Sequence, residues 1–191
     1  ISNYQINSFF RKVSLLLLAI VFVCTGIWIL QKDTAFVNIS DYKPERDRAF
    51  ILDIFKKDFY WLVADEGSET FSAEYMLDNK TSSRKPSFRK GNLIIKIHTD
   101  EGKPAAFIAY YLKKLYEGYI LFVAVDEKYR KKGYARTLIK YALEDLKRRG
   151  SCVVRMITRN INKPARSLYE SLGFKQYWTN GKYVRYEKYL E

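Results

Sequence analysis

The chain has 191 residues, with 34 lysines and arginines against 21 aspartates and glutamates, a net charge of +13 and 48% hydrophobic residues. That length allows one domain with a sizeable core plus an appendage, and two cysteines give no disulfide framework. One histidine and no zinc-ligand spacing leave no metal site to expect, and without a helix-turn-helix, zinc-finger or RNA-recognition signature, sequence-specific nucleic-acid reading is not expected. The basic surplus suits an acidic substrate or an anionic lipid surface, although most such charges are solvated surface.

Residues 1–12 read as a short tail. Val13–Leu30 follows without a charged side chain, and at 1.5 Å per residue it reaches about 27 Å, close to the hydrocarbon thickness of a bilayer. Arg11 and Lys12 bound one end and Lys32 the other, with Trp28 near an edge. A single membrane-spanning helix is the first reading; a cleaved signal peptide and a helix buried in a dimer are the alternatives. Lys32, Lys43, Arg46 and Arg48 outnumber Arg11 and Lys12 around it. This places the C-terminal part in the cytoplasm. Cys24 then faces core or lipid. Residues 31–43 form a linker, and 44–191 the main domain.

Within Asp41–Val63, Pro44 opens a helix whose apolar stripe is Phe50, Ile51, Ile54, Phe55, Phe59 and Leu62. Residues 64–91 are polar; Phe71–Leu77 reads as a short helix or a strand, and Lys80–Lys90 as a basic loop. Asn92–Thr99 and Pro104–Leu112 flank Asp100-Glu101-Gly102-Lys103, a hairpin signal. Tyr119–Val125 is a near-continuous apolar run, as in a strand buried on both faces. Together these three segments predict an antiparallel meander.

The pattern then changes period. Ala135, Leu138, Ile139, Ala142, Leu143 and Leu146 recur at helical spacing. Arg130, Lys131, Lys132, Gly133, Tyr134 and Ala135 therefore sit at a helix N-terminus, where unpaired amides and the macrodipole favour an anion. Small residues at Gly133 and Ala135 permit close approach, so the joint suits a diphosphate. Ser151–Thr158 reads as a strand that buries Cys152. Asn162 caps a helix with Pro164 in its first turn and Gly173 at its end. Two aromatic-rich strands, Phe174–Trp178 and Lys182–Leu190, surround the turn Thr179-Asn180-Gly181.

Two of these motifs carry a family resemblance. Arg130-x-x-Gly133-x-Ala135 after a strand resembles the acetyl-CoA motif of the GNAT superfamily of N-acetyltransferases. Asn162-x-x-Ala165-x-x-Leu168-Tyr169-x-x-x-Gly173-Phe174 resembles its second motif at each position. The likeness covers roughly Asn92 to the C-terminus. It implies an α+β fold, with a mixed, mostly antiparallel central sheet flanked by helices, here joined to an N-terminal apolar helix.

The resemblance also implies transfer of an acetyl group from acetyl-CoA to an amine by direct attack, without a metal. It assigns Phe122, Val123, Ala124 and Val125 to the pantetheine arm through their backbone, and Arg130 to Ala135 to the diphosphate. Asn162 is either a pantetheine ligand or only a helix cap. Tyr169 corresponds to the general acid, against the plainer reading of a half-buried helix tyrosine. Glu117 is the nearest carboxylate, but no base is assigned. The acceptor amine, on a small molecule or a protein, is unnamed by any motif. A catalytically silent scaffold binding CoA or a partner at the membrane is the alternative to an enzyme.

Overall fold

The computed structural model describes residues 36–63, 71–81, 92–114 and 116–191. Residues 13–30, read as a membrane-spanning helix, lie outside them, as does most of the Lys80–Lys90 segment. Among the described residues no helix is long and apolar enough to cross a membrane.

From Asn38 onward the elements are β1 (Ile39–Asp41), α1 (Pro44–Leu62), α2 (Ala73–Asn79), β2 (Ile94–Asp100), β3 (Lys103–Lys114), β4 (Glu117–Val125), α3 (Tyr134–Arg148), β5 (Val153–Arg159), α4 (Lys163–Ser171), β6 (Lys175–Thr179) and β7 (Tyr183–Tyr189). The seven strands form one sheet in the order β1-β2-β3-β4-β5-β7-β6. Neighbours run antiparallel except β4 and β5, which are parallel. The sheet is thus mixed and mostly antiparallel, as the motifs implied.

Helices cover both faces. Ile51, Ile54 and Phe55 of α1, with Met76 and Leu77 of α2, pack on Ile95, Ile97, Phe107 and Phe122. On the opposite face Leu138, Ile139, Ala142 and Leu146 of α3 meet Ile108, Tyr110, Ile120 and Val154. Each fully buried Leu, Ile, Val, Phe or Met among them contributes about 1.5–3 kcal/mol. Local chemistry sets the helix starts. The buried carboxylate of Asp47 accepts from the Lys43 amide at 2.8 Å and closes the N-terminus of α1 behind Pro44. Ser72 does the same for α2, accepting from Tyr75 N at 3.1 Å. That cap settles the segment as a short helix, over Ala73–Asn79.

Three expectations are corrected. Cys152 is exposed, because the strand begins one residue later at Val153 and leaves Cys152 in the connection. Phe59 is 38% exposed rather than part of the buried stripe. The backbone leaves helical geometry at Asp58 (φ −111°, ψ 18°), which turns the following residues off the core-facing line. A short strand, β1, precedes α1 and pairs with β2 through Ile39 and His98; three residues carry too little pattern to be read beforehand.

The strand pair β4–β5 matters most. Only Glu117, Gly118 and Tyr119 pair with it, opposite Val153, Val154 and Arg155. Leu121 is then skipped in the pairing with β3, which passes from Ile120–Tyr110 to Phe122–Ala109. That bulge puts both Leu121 and Phe122 on the α1 side of the sheet. It also adds local bend and twist to β4. The two parallel strands consequently separate toward their carboxyl ends.

Candidate active site

The opening between β4 and β5 is a cavity of about 770 Å³, within the range of small-molecule sites. Its walls are Leu121–Val125 of β4, Ile157 and Thr158 of β5, Asp58, Trp61 and Leu62 of α1, the start of α3, and Asn162, Ala165, Leu168 and Tyr169 around α4. Beyond Tyr119 the β5-facing edge of β4 has no strand partner among the described residues. Its main-chain amides and carbonyls are therefore available to an extended ligand.

One end of the cavity is made for an anion. Gly133 caps α3 with a φ of +86°, no side chain caps that terminus, and its first turn holds no acidic residue. The first intrahelical bond runs from Thr137 N to Gly133 O, at 3.1 Å. The amides of Tyr134, Ala135 and Arg136 therefore lack helical partners. Lys131 is also in the left-handed region, at φ +65°. For a residue with a Cβ this costs about 1–2 kcal/mol, and with Gly133 it forms a concave run of backbone N–H groups.

Among the expected ligands, Phe122, Val123, Ala124, Val125, Arg130, Lys131, Gly133, Tyr134, Ala135 and Asn162 line the cavity together with Tyr169. Lys132 does not. Its ammonium binds Asp100 at 2.8 Å and lies 5.4 Å from the centre of the Tyr129 ring, tying the loop to the β2–β3 hairpin. Arg130 is engaged by protein as well, donating to Asp58 at 2.6 Å and to the Val125 carbonyl at 3.2 Å. Asn162 accepts from Ala165 N at 3.3 Å while lining the cavity, so it caps α4 and remains at the wall. Tyr134 stacks on His98, with ring centres 4.2 Å apart. Burial pushes the His98 imidazole below its usual value, and its Nδ1 has no hydrogen-bond partner.

At the other end, Tyr169 is 7% exposed and packs edge-on against Tyr186, with ring centres 5.8 Å apart. No hydrogen bond ties its hydroxyl to another described residue. Desolvation, then the neighbouring Tyr186, raises its pKa, so the phenol stays protonated across the physiological range. This is the state a proton donor needs. Glu117 lies at the closed end instead, paired with Arg155 and Lys113, each at 3.3 Å. Asp58 is the one carboxylate on the described walls. Neither it nor the Leu121 bulge carried a sequence signal; an acidic residue near a helix end and a skipped residue in an apolar run look ordinary. Among the described residues no three His, Cys, Asp or Glu side chains gather as a metal site would require.

Comparison with known proteins follows the same lines. The ribosomal protein bS18-alanine N-acetyltransferase of Escherichia coli strain K12 is 37% identical over 78 residues, 41% of this chain and 52% of that protein. N-alpha-acetyltransferase 30 of Xenopus laevis is 40% identical over 76 residues, 36% of this chain and 28% of that protein. The chain thus spans about half the length of the bacterial relative. A crystal structure of the PaiA N-acetyltransferase from Thermoplasma acidophilum in complex with coenzyme A has a TM-score of 0.60, covering 80% of this chain and 98% of its own at 16% identity. That likeness is one of fold. Residues 48–174 match the acetyltransferase (GNAT) family, and over that span, the larger part of its length, the chain belongs to this family.

Proposed function

We propose that the domain transfers an acetyl group from acetyl-CoA to the amino terminus of a protein. The observation that carries this reading is the uncapped N-terminus of α3 opening into the same cavity as the Tyr169 hydroxyl, which has no hydrogen-bond partner among the described residues. Two features test whether the residues fit acetyl-CoA. The amides at 134–136, with Arg130 and Lys131 beside them, suit a diphosphate. The unpaired edge of β4 suits the amide-bearing pantetheine arm, which needs strand-like hydrogen bonds.

When bound, acetyl-CoA supplies an acetyl thioester to the open end of the strand pair. Backbone N–H groups near the Leu121 bulge stabilise charge on the thioester oxygen as the amine attacks. The carbon–sulfur bond breaks, Tyr169 gives its proton to the departing sulfur, and the amine loses its proton to solvent. Amino-terminal acceptors are favoured because one relative is named an N-alpha-acetyltransferase and the other an alanine N-acetyltransferase of a ribosomal protein.

Residues 13–30 are read as holding this domain at a membrane, with residues 44–191 on the cytoplasmic side. The uncharged length of that stretch, the cations after it and the cytosolic supply of acetyl-CoA support this placement. Retention of the full chain in carbonate-washed membranes checks it.

The acceptor reading is tested by incubating the full chain with acetyl-CoA and peptides that are free or blocked at the amino terminus. Mass gain on the free terminus and thiol release are expected. Modification only of internal lysines, or of polyamines and aminosugars, would overturn the acceptor class.

A further inference from the structure

The last turns of α1 cross the carboxyl ends of both strands that bound the cavity. Beside β4, Arg130 donates to the Asp58 carboxylate at 2.6 Å and to the Val125 carbonyl at 3.2 Å, so one guanidinium joins helix to strand end. Beside β5, Arg159 is the last strand residue and only 4% exposed. It donates to the Tyr60 carbonyl at 2.6 Å and the Val63 carbonyl at 3.2 Å, and its guanidinium lies 3.8 Å from the centre of the Tyr60 ring. Between these anchors the chain has already left helical geometry at Asp58. Trp61 and Leu62 of that segment wall the cavity. Helix α1 therefore ends as a strap across the opening, fastened once to each diverging strand.

The two fastenings differ in kind. Arg159 is buried and binds main-chain carbonyls. The Asp58–Arg130 pair is partly exposed, with side chains 22% and 48% accessible, and it occupies a cation that the proposed diphosphate site needs. Charge-assisted bonds to a diphosphate compete directly with those to a carboxylate. Asp58 also places a negative charge beside an anion site.

We infer that Asp58 is a built-in competitor for Arg130, which weakens donor binding and links it to the strap. This inference rests on the reading of residues 130–135 as the diphosphate site. Donor binding takes Arg130 from Asp58 and frees the Asp58–Phe59 end of the strap, while Arg159 keeps the Tyr60–Val63 end fixed. Asp58 is thus an affinity-setting residue, and its removal tightens donor binding.

Calorimetric titration with coenzyme A of the full chain, Asp58→Asn and Arg130→Gln tests this, with Asp58→Ser as a second variant and thermal melting to check folding. Loss of Asp58 is expected to tighten coenzyme A about two- to fivefold, the scale of a partly exposed ion pair. Arg130→Gln is expected to weaken it. Amide exchange at residues 58 and 59 in free Asp58→Asn should match that of the coenzyme A-bound parent. Unchanged or weaker binding in both Asp58 variants, with Arg130→Gln still weakened, overturns the inference and leaves the diphosphate site standing. Unchanged binding in Arg130→Gln overturns the diphosphate reading and the inference with it.

Discussion

Strands β4 and β5 start as neighbours and finish as opposite walls of a cavity, and the residues at their two ends differ accordingly. At the paired end, Arg155 bridges Glu117 and Glu187 at 3.3 and 3.2 Å, and Lys113 adds a second cation to Glu117. Gly118 sits so close to α3 that an added Cβ would lie 2.8 Å from Leu146 Cδ1. At the open end some polar groups are left to a ligand. The start of α3 is uncapped, Tyr169 has an unpartnered hydroxyl among the described residues, and Lys131 holds an unfavourable backbone conformation. The lesson is a division of labour along one pair of strands: ion pairs and close packing hold the fold at one end, and polar groups open to a ligand serve the chemistry at the other.

Substitutions at the two ends should therefore separate activity from stability. The largest effect is expected for Tyr169→Phe. Steady-state kinetics should show kcat reduced about 10²- to 10⁴-fold, the range for loss of a general acid, with coenzyme A affinity and melting temperature little changed. Equal turnover in parent and variant would break the comparison at the open end. Gly118→Ala should do the reverse. Crowding against the buried Leu146 side chain should lower unfolding free energy by about 1–3 kcal/mol in urea titrations, while coenzyme A still binds the folded fraction with parent affinity. A matching loss of affinity would mean that the ends are not separable.

The smallest effect concerns the support beneath the anion end. Burial lowers the His98 pKa from the model-peptide value of 6.5, so the folded chain binds fewer protons than the unfolded chain in that region. The resulting stability is fully present above about pH 6.5 and is lost as pH falls toward the lowered folded-state value. His98→Phe keeps a ring under Tyr134 and should flatten this acid slope in melts recorded from pH 7 to 5. A slope unchanged by the substitution would remove His98 as its source.

Legibility in the sequence followed the same division. The helices α3 and α4, the Asn162 cap and the two hairpins stood out because turn chemistry and periodicity are local. The cavity-lining residues of the loop after β4 stood out as a helix N-terminus, whereas those of β4 itself came only with the family resemblance. The parting of β4 from β5 was hidden, since Leu121 lies in an unbroken apolar run and only its pairing partners reveal the bulge. Asp58 and Arg159 were hidden for another reason. Their partners lie 72 and up to 99 residues away in sequence, beyond any motif. Lys132 showed the opposite difficulty: it stands in the motif, yet Asp100 draws its ammonium away from the cavity.

The central claim is that the open end of the strand pair grips a diphosphate at the start of α3. Calorimetric titration of the full chain with coenzyme A and with pantetheine, each at low and high salt, tests it most directly. Saturable coenzyme A binding that weakens as salt rises, with pantetheine binding far more weakly and with little salt dependence, is the predicted result. Equal affinity for the two compounds, or salt-independent binding of coenzyme A, would contradict it.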